Sequence, residues 1–376
     1  MKIGILTLPL HTNYGGILQA YALQTVLERM GHNVEVLNKS QRKRLPSKWG
    51  IVFLKRVIKK YVLGRKVRVF AEFYHNKYYP IMSKNTQPFI EKYIKQRLLP
   101  SLKVIERKDY DAIVVGSDQV WRPCCFRPMW GASMEQAFLD FSKLWNVRRI
   151  AYAASFGSDL WEYNSQETEK CEKLAKLFSV ISVREQSGVS LCKDYLSADA
   201  VVVPDPTMLL SKDDYIKLIE SSNVPQSAGN LLCYVLDETP EKRDLVELVS
   251  KEKNLRPFRV NSKIEDHFAP VEERVQPPIE QWLRGFYDAD FVVTDSFHAC
   301  VFSIIFEKPF IVYGNVSRGM ARFESLLSLF GLECNLITSL SDYKEGCGKK
   351  VASLEVIDSF REKGLLTLKQ GLNNNA

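Results

Sequence analysis

No run of eighteen or more apolar residues occurs in this sequence, which argues against a membrane-spanning helix. The apolar opening from Ile3 to Leu10 breaks at once into His11-Thr12-Asn13-Tyr14-Gly15-Gly16, without a small-residue cleavage site, so no signal peptide is expected. None of the eight cysteines forms a C-x-x-C pair or stands at zinc-like spacing from a histidine. Free thiols in a reducing cytoplasm, with no metal, are the expectation. Adjacent Cys124 and Cys125 invite a reactive or metal-binding pair, but neighbouring side chains point apart and rarely share a ligand. Neither G-x-G-x-x-G nor G-x-x-x-x-G-K-[ST] is present, which argues against NAD-dependent and ATP-hydrolysing activities. Acidic residues are missing from positions 41 to 70, where eleven Lys or Arg stand; without them the formal charge of +8 becomes −3. One segment makes the chain basic.

What is present reads as α/β. A chain of 376 residues with 45% hydrophobic content exceeds what one core usually organises, so two domains are expected. A strand at Lys2 to Leu8, a Gly-Gly loop, a helix from Leu18 to Met30 with Leu18, Tyr21, Ala22, Thr25 and Val26 facing the core, and a strand at Asn33 to Asn38 make a βαβ unit. Such a unit places its binding loops at the carboxyl ends of parallel strands. Further strands are expected at 111–115, 149–154, 180–183 and 201–203, before Pro204-Asp205-Pro206 interrupts the chain. The second half repeats the alternation, with strands at 231–236, 258–260, 291–294 and 310–313 and helices between them. The expected organisation is an N-terminal α/β domain over 1–203, a C-terminal α/β domain over 204–345, and a helix within 346–376 that packs back. Two doubly wound Rossmann-like domains should face each other across a cleft.

Several side chains fall at those strand ends. After Phe291 to Thr294, the run Asp295-Ser296-Phe297-His298 opens an apolar helix, and a helix N-terminus favours anions and disfavours a charged imidazole. His298 is a candidate acid or base there; alternatively Asp295 or Ser296 caps the helix and His298 packs. Arg184 ends the 180–183 strand, followed by Glu185 and Ser187, where a guanidinium could take a carboxylate or phosphate through paired hydrogen bonds, or lie on a solvated turn. Arg318 and Arg322 share a face if their stretch is helical. In the Gly116-Ser117-Asp118-Gln119-Val120-Trp121 loop, Asp118 could orient or deprotonate a hydroxyl while Trp121 stacks on a sugar; capping is the plainer role for Asp118.

Together these pieces resemble the polysaccharide pyruvyltransferase family. The resemblance is carried by Asn13-Tyr14-Gly15-Gly16 with Gln19-Ala20, the Gly116 to Trp121 loop, Tyr152 to Gly157, Val183-Arg184-Glu185 with Ser187, Asp205-Pro206-Thr207, and Thr294 to His298 leading to Lys308-Pro309-Phe310. It implies a glycosyltransferase-B-like fold and transfer of the pyruvyl unit of phosphoenolpyruvate to two sugar hydroxyls, with no cofactor. His298 would be the catalytic acid or base, assisted by Asp118. Arg184, Ser187, Ser296, Arg318 and Arg322 would hold the donor, and Asn13, Gly15, Gly16, Ser117, Trp121 and Asp295 would line the acceptor side. Many members carry an arginine two residues before the histidine where this chain has Ser296, so acceptor identity does not transfer. The rival readings are a nucleotide-sugar glycosyltransferase of the same fold and a non-catalytic sugar-binding subunit.

Within the basic segment, Ile51, Leu54, Val57, Ile58, Tyr61 and Val62 fall on one helical arc and Lys55, Arg56, Lys59 and Lys60 on the other, with Val52 and Phe53 on the basic side. That pattern resembles a helix lying on an anionic membrane surface, which would set a cytoplasmic enzyme at the inner face beside a lipid-linked acceptor. The plainer alternative is a packed helix with a solvated basic face. No aromatic interleaving or reader motif accompanies the charges, so nucleic acid is not expected as a partner.

Overall fold

Runs such as Ala112–Val115 and Phe291–Thr294 are buried along their whole length, the condition of strands in a parallel sheet covered on both faces. The computed structural model describes residues 1–314 and 319–373, and in it such runs form two parallel sheets. The first contains β1 (Lys2–Leu6), β2 (Asn33–Asn38), β3 (Gln96–Leu98), β4 (Ala112–Val115), β5 (Arg148–Ala154), β6 (Val180–Val183) and β7 (Val201–Val202), in the order β3-β2-β1-β4-β5-β6-β7. The second contains β8 (Leu231–Tyr234), β9 (Pro257–Phe258), β10 (Phe291–Thr294), β11 (Phe310–Tyr313) and β12 (Leu336–Ile337), in the order β12-β11-β10-β8-β9. Strand order reverses between β1 and β4 and again between β8 and β10, and at such points the loops at the carboxyl edge splay apart to leave a crevice. The expected pair of doubly wound units facing across a cleft, the glycosyltransferase-B-like arrangement, is what the chain forms.

Four strands, β2, β6, β10 and β11, begin and end where the hydrophobic pattern put them. The Gly-Gly segment does not. It is the first turn of helix Tyr14–Arg29, begun by Asn13, whose side-chain oxygen accepts the Gly16 N–H at 3.0 Å. That helix is buried far beyond one stripe, because it lies between the first sheet and the second unit: Tyr14 stacks on Trp282 at 5.3 Å and donates its hydroxyl to the Pro277 carbonyl at 2.8 Å. One hydrophobic cluster therefore runs through both units, from Ile3 and Leu18 to Phe286 and Phe302.

The last helix, Leu354–Asn373, returns to the first sheet. Gly364 and Gly371 permit the approach, since a Cβ on them would stand 2.5 Å from the Tyr152 hydroxyl and 2.9 Å from Ile150. In the basic segment, helix Trp49–Val57 continues through a wider turn at Ile58–Val62. Val52 and Phe53 turn inward rather than joining an outer basic face, with Phe53 on Phe70 at 5.1 Å.

Candidate active site

Where the carboxyl edges of the two sheets meet, a cavity of about 240 Å³ is walled by His11 to Gly15, Asp118, Gln119 and Arg122 from the first unit and by Tyr234, Asp295 to His298 and Arg322 from the second. His298 is the second residue of helix Phe297–Ile305. Ser296 stands at the cap position, but its side chain makes no capping bond, and its own N–H donates to the Thr294 hydroxyl at 3.0 Å. The helix thus meets the cavity with no side-chain cap on its first N–H groups, an arrangement suited to an anion. The imidazole rests on helix Tyr14–Arg29 so closely that a Cβ on Gly15 would stand 2.1 Å from its Nδ1. Glycine is required there by the approach of His298, a distant contact that the expectation of a Gly-Gly loop could not take into account.

His298 Nε2 is 3.6 Å from Oδ2 of Asp205, a wholly buried carboxylate. The same oxygen accepts the Ser117 hydroxyl and Arg184 Nη1, both at 2.9 Å, while Oδ1 accepts the N–H and hydroxyl of Thr207 at 3.0 and 2.8 Å. Burial alone would raise the Asp205 carboxyl; His298 and Arg184, with the Thr207 N–H, reverse that and hold it well below the usual carboxylate range. Asp205 is not among the candidates the strand ends supply; its only signal in the sequence is the Asp205-Pro206-Thr207 motif.

Arg184 lies behind the cavity wall rather than on it, its guanidinium 4.5 Å from the centre of the Phe297 ring. Nη1 is committed to Asp205, whereas the buried Nε and Nη2 have no hydrogen-bond partner among the described residues. Arg322, on the wall, reaches the same ring at 5.5 Å. Burial first, and then the like charge of Arg184, pull its guanidinium down to about 10. Asp205 offsets the charge of Arg184, and Glu185 and Asp118 act in the same sense on Arg322.

Asp118 also lines the cavity, with a left-handed backbone (φ 72°) that aspartate tolerates; its Oδ1 accepts the next N–H, of Gln119, at 2.8 Å. Ser117 is fully buried and acts through Asp205, not on the wall. Gly16 lies beside Asp118, and Asn13 spends its side-chain oxygen on the helix cap. Asp295 reaches the wall, yet its carboxylate is taken by the N–H groups of Leu236 and Asp237 and by Lys242, the last at 2.7 Å. It ties β8 to β10 and has no oxygen left over for a ligand.

Two candidates belong elsewhere. Trp121 is fully buried, stacked on Phe138 at 4.6 Å with its N–H on the Ala137 carbonyl, so it cannot stack on a sugar. The aromatics of the first core reach it before solvent does. Ser187, with a buried hydroxyl that has no partner among the described residues, sits in the first turn of helix Gln186–Leu196 and not on the cavity wall. Arg318 lies outside the described residues, and the helix carrying Arg322, Ala321–Phe330, begins after it. Among the described residues no three His, Cys, Asp or Glu side chains converge to hold a metal ion, and Cys124 and Cys125, 3.9 Å apart at sulfur, are free thiols.

Fold and site together define a class: a two-unit α/β protein whose interdomain cleft sets a histidine and an uncapped helix N-terminus against buried guanidiniums. The chain belongs to the polysaccharide pyruvyl transferase family, whose sequence model matches residues 13–317. The match includes Arg184, Asp205 and His298 and stops short of Arg322. Among solved structures the chain is similar to UDP-GlcNAc 2-epimerase from Neisseria meningitidis bound to UDP-GlcNAc, at 11% identity over 100% of this chain and 95% of that one, with a TM-score of 0.44. It is similar also to the 2-epimerase of Rickettsia bellii (10% identity, 98% and 94% covered, TM-score 0.45) and to an Escherichia coli heptosyltransferase with ADP (12%, 97% and 100%, TM-score 0.37). No curated relative matches the sequence.

Proposed function

We propose that this protein moves the pyruvyl unit of phosphoenolpyruvate onto two hydroxyls of a sugar in a polysaccharide precursor, forming a cyclic ketal and releasing phosphate. The observation that carries the reading is one cavity walled by His298, Asp118 and Arg322 at an uncapped helix N-terminus. A donor bearing both a carboxylate and a phosphate would find there a guanidinium and free helix N–H groups.

In this reading His298, with Nε2 3.6 Å from the Asp205 carboxylate, delivers a proton to the methylene carbon of the donor. The adjacent carbon becomes oxocarbenium-like and takes the first sugar hydroxyl, whose proton passes to Asp118. Phosphate then leaves with the electrons of its carbon–oxygen bond, its charge met by Arg322 and the helix N–H groups. The second hydroxyl attacks the oxocarbenium-like carbon left behind, closes the ring and passes its proton to His298, which is thereby restored. Each step uses side chains already in place around one cavity.

Calorimetry with phosphoenolpyruvate and phosphate release over a panel of galactose-, mannose- and glucosamine-type acceptors test this. Arg322→Ala should abolish donor binding; His298→Ala should keep donor binding and lose phosphate release. Release that survives in His298→Ala removes the histidine from the mechanism. A wild-type protein that binds a UDP or GDP sugar and ignores phosphoenolpyruvate is a glycosyltransferase instead.

A further inference from the structure

The helical segment Trp49–Val62 is fixed to the body by one face only. Val52 and Phe53 turn inward, Phe53 against Phe70, and Arg56 forms a two-pronged ion pair with Glu72 at 2.7 and 2.8 Å. Its other side carries Ile51, Leu54, Ile58, Tyr61 and Val62, each between 42% and 75% exposed, while Trp49, 55% exposed, stands at the margin with its ring edge-on to Phe53 at 6.2 Å. A continuous run of large apolar side chains left in water is what an interaction surface looks like. Lys55, Lys59 and Lys60 stand exposed among them and make no ion pair among the described residues.

We propose that this face docks on an anionic phospholipid bilayer. Three features select that occupant. The segment from 41 to 70 holds eleven Lys or Arg and no acid, which complements a surface of lipid phosphates. Tyr61 and Trp49 combine an apolar ring with a polar edge, the residues that settle at a headgroup boundary, while lysine stems can lie along the apolar layer with their ammonium groups in water. A second copy of the chain fits poorly, because a two-fold interface would set each cationic face against itself. Nucleic acid offers phosphates but no layer to receive Leu54, Ile58 and Val62.

The stretch that follows the docked face reaches the cavity rim through Arg68. Arg68 donates to the His267 carbonyl at 2.7 Å and lies over the Tyr74 ring at 3.5 Å; His267 belongs to the stretch whose Ile264, Glu265 and Gln276 help wall the cavity. Docking would therefore hold the cavity rim close to the lipid surface. That this serves a lipid-linked sugar acceptor rests on the proposed function; the docking itself does not.

Cosedimentation of the full chain with vesicles of phosphatidylcholine, with and without phosphatidylglycerol, tests the proposal. The protein should pellet with the anionic vesicles at low salt, release as salt rises, and ignore pure phosphatidylcholine. Trp emission should shift to the blue on binding, and that shift should vanish in Trp49→Phe. Leu54→Ser with Ile58→Ser and Tyr61→Ser should abolish pelleting. Lys55→Gln with Lys59→Gln and Lys60→Gln should lower partitioning on the order of a hundredfold. All variants should keep wild-type melting and phosphoenolpyruvate binding, so a failed cleft and a failed docking face give different results. Should the apolar variant misfold, the lysine variant and the Trp49 signal decide alone. No pelleting at low salt, pelleting unchanged by both sets, or a concentration-dependent dimer lost with the apolar set would each overturn the proposal.

Discussion

Gly15→Ala inserts one methyl group where His298 already stands. The new Cβ would lie 2.1 Å from Nδ1, 2.3 Å from Cγ and 2.5 Å from Cε1, distances no neighbour can tolerate. His298 must leave its position or the two helices must part. Within a helix, exchanging glycine for alanine ordinarily gains about 0.5–1 kcal/mol. Forcing a packed contact apart costs about 1–3 kcal/mol, so Gly15→Ala should be net destabilising. The neighbouring Gly16 is the internal control, since a Cβ there meets Asp118 Oδ2 at 3.5 Å and Asn13 at 3.8 Å, ordinary contact distances. Gly16→Ala should be neutral or stabilising. Urea denaturation of the two variants side by side measures the difference, and phosphate release should fall about a hundredfold in Gly15→Ala from an ångström of misplacement. In a His298→Ala background the Gly15 penalty should disappear, a coupling of 1 kcal/mol or more by double-mutant cycle. If Gly15→Ala and Gly16→Ala unfold at the same urea concentration, the contact between the helices is not as described.

Asp205→Asn removes the counter-charge from a buried Arg184 and should cost about 3–5 kcal/mol at neutral pH. Because the folded state holds this carboxyl far below its unfolded value of about 3.9, the unfolded chain takes up the proton first. The stability Asp205 supplies is therefore full above about pH 4 to 5 and fades as pH falls further, so the gap between wild type and Asp205→Asn in urea midpoint should be flat at neutral pH and narrow in acid; a gap that stays constant down to pH 3 would contradict this. Trp121→Ala should lose about 3–5 kcal/mol of stability with Trp121→Phe recovering much of it, as befits a core side chain stacked on Phe138. A Trp121→Ala protein of native stability but weakened sugar affinity would return the indole to the cleft.

Much of the architecture could be read from the sequence because buried parallel strands are short aliphatic runs with sharp ends, as at Val180–Val183 and Phe310–Tyr313. The start of helix Tyr14–Arg29 could not. Local propensity puts two successive glycines in a loop, and only the distant His298 ring explains why one is needed within a helical turn. The site was legible where a side chain stands at a strand end, as Arg184 and His298 do, and illegible where its partner comes from a segment with no periodic signal. Asp205 falls between two prolines, and nothing local shows that it gathers Ser117, Arg184 and His298 on one carboxylate. Trp121 departs from expectation for the opposite reason: a loop residue ordinarily faces outward, whereas Phe138 and the rest of the first core enclose this one.

The chain leaves the first sheet beyond β7 and comes back to it in the helix Leu354–Asn373, after Gly348 has packed against Phe291 and Phe310 of the second. Two covalent crossings join the units, like a door hung at two points, so any opening of the cleft must turn about the line between them. One of those points carries Asp205. Such a swing would then be felt first at the carboxylate that His298 and Arg184 share, and the open molecule would hold those two side chains in a different relation from the closed one.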